Sequence, residues 1–258
     1  MRAINFNSVG SASFGLRVNG VNVFNGAAKE IQSYNVPGRP GTIIPANPVE
    51  VYANEIRQYE LALYRTSTPS TSIAAIREWL MAPKSYCLLR DNYETGYYRL
   101  AVCVGEVEVQ HRGAGNNYVI IVNFSCLPQR FLDTGRTWIE FETGEGTLAV
   151  NNPTANRCYP LAYVVNNTNA EIDFSVWDAG EAQTARGVAT IDANSAVYFD
   201  FETTNAYTIN LTTQEKVPAN DLITYISGDF YLKPGQNNII KRSSNSLGFT
   251  MQPNWWTR

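Results

Sequence analysis

The 258-residue chain has a single histidine, no Cys-x-x-Cys pair among its four cysteines, and only 17% charged residues. Each scarcity excludes a chemistry. One histidine cannot build a His-rich metal cluster, and a Ser-His-Asp triad would have to form around His111. That residue stands between Gln110 and Arg112, just before Gly113-Ala114-Gly115-Asn116-Asn117, which reads as a hairpin tip, so a satisfied or solvated loop histidine is expected. Cys87, Cys103, Cys126 and Cys158 lie 16, 23 and 32 positions apart, which removes zinc ribbons and thioredoxin-like chemistry. The first three sit in apolar, strand-like runs, where cysteine behaves as a small buried hydrophobe. Basic residues are not in excess: 20 Lys and Arg face 23 Asp and Glu, for a net charge of −3. A nucleic-acid binder concentrates positive charge, so no such partner is expected. No apolar run approaches the roughly 20 residues of a membrane helix. The opening MRAINFNSVGSASFG lacks the continuous apolar stretch of a secretory signal. A soluble protein made in a reducing compartment is expected, with no membrane partner and with the sequons at Asn123, Asn166 and Asn210 idle.

What is abundant is apolar and aromatic: 44% hydrophobic residues, including 15 Tyr and 11 Phe. That composition belongs to folded chains. The patterning is overwhelmingly period two. Tyr118, Ile120, Val122, Phe124 and Cys126 share one strand face. Ile139 and Phe141 alternate with Glu140 and Glu142. The sets Tyr159, Leu161, Tyr163, Val165, then Ile172, Phe174, Val176, and Val197, Phe199, Phe201 repeat the alternation. Asn19-Gly20 between two short apolar runs predicts a type I′ hairpin, and Gly144 with Gly146 a second hairpin. One stretch reads as helix, near 72–82: Ser72 as N-cap, Ile73, Ile76 and Leu80 on one stripe, and Pro83 closing it. Such a short helix must be held by packing Trp79 onto a sheet or a subunit boundary. The class is mainly β. Pro128 and Gly135 bracket a break near 133, and charge divides there too: residues 1–133 carry 12 basic and 10 acidic groups, residues 134–258 carry 8 and 13. Two domains are expected, a β-rich 1–133 with the helix, and 134–258 as a sandwich of antiparallel sheets.

Three constellations invite a chemical reading. Glu140, Glu142 and Glu145 could supply a glycosidase pair, but their alternation with apolar residues reads as the wet side of a strand. Trp177 and the Trp255-Trp256 pair could stack on sugars or contact a partner; such residues also anchor cores and interfaces. Gly38-Arg39-Pro40-Gly41 lacks the lysine and spacing of a phosphate loop. A rigid Pro/Gly turn presenting a guanidinium suits docking to a carboxylate or carbonyl on a neighbour. No enzyme site and no cofactor or metal site emerges.

That turn also carries a resemblance. Ser13-Phe14-Gly15-Leu16-Arg17-Val18, followed by Val36-Pro37-Gly38-Arg39-Pro40-Gly41, resembles the opening of the phage distal tail protein (Dit) family of long non-contractile-tailed, siphovirus-type phages. Tyr97-Tyr98-Arg99-Leu100 and the run closing on Asn123-Phe124-Ser125-Cys126-Leu127-Pro128 continue the likeness. So do Asn151-Asn152-Pro153-Thr154 and Leu232-Lys233-Pro234-Gly235-Gln236-Asn237-Asn238-Ile239. Pro40 departs from the family, many of whose members have an acidic residue or Asn there. The resemblance implies a non-enzymatic virion protein at the tail tip (baseplate), assembled in the host cytoplasm. Its N-terminal domain would form a homo-hexameric ring; Pro37, Gly38, Arg39 and Gly41 are expected either in the ring interface or simply fixing a surface turn. Its C-terminal domain would be a galectin-like β-sandwich bearing the host-adsorption apparatus. The major tail tube protein, tape-measure protein, tail-associated hub protein and receptor-binding protein are the implied partners. The competing reading is a lectin-like carbohydrate-binding module for host wall polysaccharide.

Overall fold

The computed structural model describes residues 2–31, 33–38, 40–44, 51–64, 67–113, 115–141, 146–166, 170–176, 185–191, 195–220, 230–241 and 249–258. Of these, residues 146, 166, 170–176, 185–191, 240–241 and 249 are described by backbone alone. The chain divides into two compact units, Met1–Arg130 with Arg258, and Phe131–Thr257. It is mainly β, with one α-helix among the described residues.

The first unit is an antiparallel sheet whose strands run in the order Val9–Gly10, Ile4–Phe6, Cys87–Asp91, Tyr97–His111, Tyr118–Cys126, Glu55–Leu63 and Arg17–Val21. The period-two reading of 118–126 holds: Ile120, Val122, Phe124 and Cys126 are wholly buried, and Tyr118 packs at the margin of the same core. Across the ladder, Ile120 faces Leu61 and Val122 faces Tyr59. Phe6 meets Phe124 edge-on at 4.8 Å. The helix spans Pro69–Met81, so it begins three residues before the predicted cap. Proline tolerates that first helical position because its missing N–H would find no intrahelical acceptor there anyway. Ser72 is therefore inside the helix, its N–H donating to Thr68 O. Ile76, Trp79 and Leu80 face the sheet; the Trp79 indole stacks on Phe14 and its N–H donates to Phe6 O at 3.1 Å. Trp79 thus seals the core of its own unit.

Asn19-Gly20 makes no hairpin. Arg17–Val21 is one continuous strand on Glu55–Leu63, and the chain bends at Asn22 instead, with φ 61°. Space at Gly20 is tight: a Cβ there would crowd a Val23 methyl carbon and the Tyr93 ring, and its N–H donates to the Tyr93 hydroxyl. The predicted tip at 113–117 does join paired strands, with His111 opposite Tyr118. His111 Nε2 lies 2.7 Å from Gly115 O, so the lone histidine ties its own turn.

In the second unit, a sheet runs Ile139–Phe141, Phe249–Gln252, Leu161–Asn166, Ser195–Asp200, Asn205–Asn210 and Lys216–Pro218. The strands on either side of Gly144 do not form a hairpin together: Ile139–Phe141 pairs with 249–251, whereas Gly146–Asn152 pairs with Gly235–Lys241. Phe141, Val164, Val197 and Phe199 from the sheet pack with Val150 and Ile239 from that second pair, giving a two-layered core. The phase of 159–165 is the reverse of the predicted one. Ala162 and Val164 are buried, while Tyr163 lies on the other face. Both faces are apolar in sequence, and the aliphatic set goes inward because a tyrosine hydroxyl buried without a partner is costly. Tyr163 instead joins a row of direct cross-strand partners, Tyr163–Tyr198–Tyr207, with centroid spacings of 5.2 and 5.1 Å and Lys216 Nζ 3.5 Å from the Tyr207 ring centroid.

The cysteines are all free. Burial pushes the Cys103 thiol up to about 11 and the Cys126 thiol up to about 12, and raises Cys158 as well. Cys87 alone is partly exposed.

Candidate subunit interface

Between Val23 and Glu55 the chain leaves the sheet as an arm. Lys29–Glu30 pairs with Val51–Tyr52, and farther out Tyr34–Asn35 pairs with Thr42–Ile43. Every described residue from Ala28 to Ile44 is exposed. Yet the arm is rich in apolar side chains: Ile31, Tyr34 and Ile44 are 57%, 57% and 61% exposed, with Val36, Ile43 and Val51 also open to solvent. Two-stranded ribbons are marginal in water on their own, and contiguous exposed apolar surface marks a contact site. The expected turn caps this arm. Pro37, Gly38 and Gly41 are exposed, and Gly38 and Gly41 take φ of 81° and 85°, left-handed values that a side chain disfavours by roughly 1–2 kcal/mol. Arg39 lies outside the described residues.

The aromatic candidates fall elsewhere. Trp255 is 5% exposed, in the core of the second unit, and its backbone N would lie 2.4 Å from a Cβ placed on Gly135. A ring so enclosed offers no face to a sugar. Trp256 is half-buried and its indole N–H donates to Arg157 O at 2.8 Å. Trp177 lies outside the described residues, as do Glu142 and Glu145; Glu140 is exposed, on the wet side of its strand.

The two C-terminal motifs meet in space. Asn152, 2% exposed, donates to Asn156 O and Leu232 O and accepts from Thr154 N and Oγ1. Asn237, 6% exposed, donates to Lys233 O, Gly235 O and Val150 O and accepts from Lys233 N at 2.9 Å. Asn152 sits opposite Gly235 in the ladder. Two side-chain amides thus hold two turns against each other, a structural role for both motifs. Asn237→Ala is expected to lower the unfolding free energy by about 1–3 kcal/mol, since it strands buried backbone groups; urea denaturation followed by tryptophan fluorescence measures it.

Sequence reasoning missed a charged cluster in the first unit. Arg57, 1% exposed, pairs through Nε with Glu55 and through Nη1 with Glu94 Oε2 at 2.9 Å, with Asp91 at 3.6 Å. Arg99 Nη1 lies 3.3 Å from Glu55 Oε2, an ion-pair contact without hydrogen-bond geometry, and its Nη2 reaches Glu94 at 3.5 Å. Arg130 Nη1 meets Glu94 Oε1 at 2.6 Å. The Tyr59 hydroxyl donates to Asp91, and burial followed by that charge raises its pKa. Burial alone would lift the Glu94 carboxyl; the Arg130 hydrogen bond and the charges of Arg57, Arg99 and Arg130 outweigh it and hold Glu94 below the usual carboxylate range. A carboxyl depressed by folding adds stability above its unfolded pKa, and that increment is lost as pH falls through the lower folded value. Thermal melts between pH 6 and 3 are therefore expected to show a falling midpoint, with a smaller fall in Glu94→Gln.

The fold is similar to those of solved phage hub and baseplate proteins. The crystal structure of the Dit protein of phage SPP1, described as a paradigm of the hub adsorption apparatus in phages infecting Gram-positive hosts, superimposes with a TM-score of 0.65 over 97% of this chain and 98% of that one, at 13% identity. Chains of the phage p2 baseplate in its activated conformation, with strontium and with calcium, give TM-scores of 0.61 and 0.59 over the full length of both chains, at 8% identity. No family model matches the sequence, and no curated protein does. At these identities the likeness is one of fold.

Proposed function

We propose that this chain is a non-enzymatic virion protein of a siphovirus-type tail tip, whose copies close into a hexameric ring joining the tail tube to the host-adhesion apparatus. The observation that carries this reading is the arm. It exposes Ile31, Tyr34, Val36, Ile43 and Ile44 on a ribbon too thin to cover them, and a second copy of the same chain can bury them in a head-to-tail contact that closes by rotation. Residues 1–133 would form the ring and 134–258 the outward β-sandwich. The shared fold with the SPP1 hub protein supports the same reading. Tube and tape-measure proteins would meet one side of the ring, and hub and receptor-binding proteins the other, after assembly in the host cytoplasm.

Size-exclusion chromatography with light scattering, joined to negative-stain imaging, tests the proposal. The expected result is a six-copy ring, alone or on adding the tube protein; a monomer under both conditions would overturn it. Arg39→Glu is expected to impair assembly with each subunit still folded. Normal rings from that variant would reduce the Pro37–Gly41 turn to local architecture.

A further inference from the structure

The sequence holds two Asn-Gly dipeptides, Asn19-Gly20 and Asn25-Gly26, and the fold treats them oppositely. Asparagine before glycine is open to attack by its own backbone. The glycine nitrogen, with no Cβ beside it, can close a five-membered ring on the asparagine side-chain carbon. Nucleophile and target share one chain, so geometry alone decides the rate of encounter. At Asn19-Gly20 the geometry forbids it. Both residues lie in the strand Arg17–Val21, opposite Glu60 and Tyr59. The Gly20 N–H is held by the Tyr93 hydroxyl at 2.5 Å, and the Asn19 side-chain amide donates to Glu60 Oε2 at 3.2 Å. Ring closure would break both bonds and the extended ψ of the strand.

At Asn25-Gly26 these restraints are missing. Both residues are exposed. The Asn25 N–H donates to Asn22 O at 3.1 Å, which leaves the Asn25 side chain and the following nitrogen outside the turn. Among the described residues, neither that side chain nor the Gly26 N–H has a hydrogen-bond partner. A Cβ added at Gly26 would meet no atom within 4 Å, so the ring has room to form. Val23, just before, is 3% exposed in the core, and Ala28, just after, accepts from Ala53 N at 2.9 Å where the arm begins. The dipeptide therefore sits at the root of the arm.

We propose that Asn25 is a site of spontaneous deamidation in the folded subunit, while the strand preserves Asn19. The Gly26 nitrogen attacks Asn25 Cγ, and its proton departs with the side-chain nitrogen as ammonia. One water then opens the succinimide, and no electrons are gained or lost. Opening at Cγ gives aspartate. Opening at the backbone carbonyl gives isoaspartate, with the main chain rerouted through the side chain and longer by one carbon. Either product places a negative charge at the root of the arm, and the second also changes the direction in which the ribbon departs. The chemistry belongs to the single chain and does not depend on ring formation.

The test is storage of the full chain in mildly alkaline buffer, with and without urea, followed by mass spectrometry of the tryptic peptide Val18–Lys29, which contains both asparagines. Each conversion adds a single mass unit, and electron-transfer fragmentation assigns it to position 19 or 25. The expected result in the native chain is conversion at Asn25 at least about tenfold faster than at Asn19 (about 1.4 kcal/mol of barrier), with the difference lost in urea. Equal native rates, or a native Asn25 that stays intact while both convert in urea, would overturn the proposal. A difference that persists in urea would trace it to local sequence rather than to the fold, and would overturn it equally.

Discussion

Ile31→Asp combined with Ile44→Asp is expected to abolish ring assembly outright while leaving the melting temperature of the subunit nearly unchanged. Both side chains are more than half exposed in the single chain, so neither supports its core, and surface substitutions of this kind move stability by about 0.5 kcal/mol or less. In an assembled interface the same positions would place two carboxylates in apolar surroundings. An unpaired buried charge costs several kcal/mol, and closing six copies repeats the penalty at every junction. Light scattering should then report monomer at concentrations where the parent chain would form the proposed ring. Circular dichroism should report an unaltered β spectrum. Rings from the double variant would mean that the arm hangs free and that another surface joins the copies.

The second large effect is expected at Arg57. Arg57→Met removes the guanidinium that binds Glu55, Glu94 and Asp91 together, and strands carboxylates in the interior. Breaking one partner of a buried pair costs about 3–5 kcal/mol, a large part of the roughly 5–15 kcal/mol that holds a folded domain. Urea denaturation should show the N-terminal transition shifted strongly downward, with the transition of the second unit in place. A loss under 1 kcal/mol would mean that the cluster is solvated enough to lose a member without consequence.

The same cluster explains what was legible in the sequence and what was not. Period-two patterning located the strand at 118–126 because Ile120, Val122 and Phe124 alternate with residues of weaker burial. It inverted 159–165 because apolar residues occupy both faces there, and only the tyrosine hydroxyls break the tie. In the strand Glu55–Leu63, Glu55 and Arg57 fall in phase with Tyr59, Leu61 and Leu63. That phase was a readable sign of ionised groups turned inward, but their partners Asp91, Glu94, Arg99 and Arg130 are distant in sequence, and no local rule joins them. The arm was legible only at its tip. Its Pro and Gly residues announce a turn, whereas the exposure of Ile31 and Ile44 depends on strands that carry the chain away from the sheet. Asn152 and Asn237 stood out by resemblance, and their purpose, bonding two turns, required the ladder that sets Asn152 opposite Gly235.

The distribution of thiols has a practical consequence. With Cys103, Cys126 and Cys158 enclosed and their sulfurs held in the protonated form, air and alkylating reagents find only Cys87 within reach. A particle built from this subunit would tolerate passage into oxygenated surroundings without cross-linking through its interior, and one equivalent of maleimide label per native chain would report that every copy is intact.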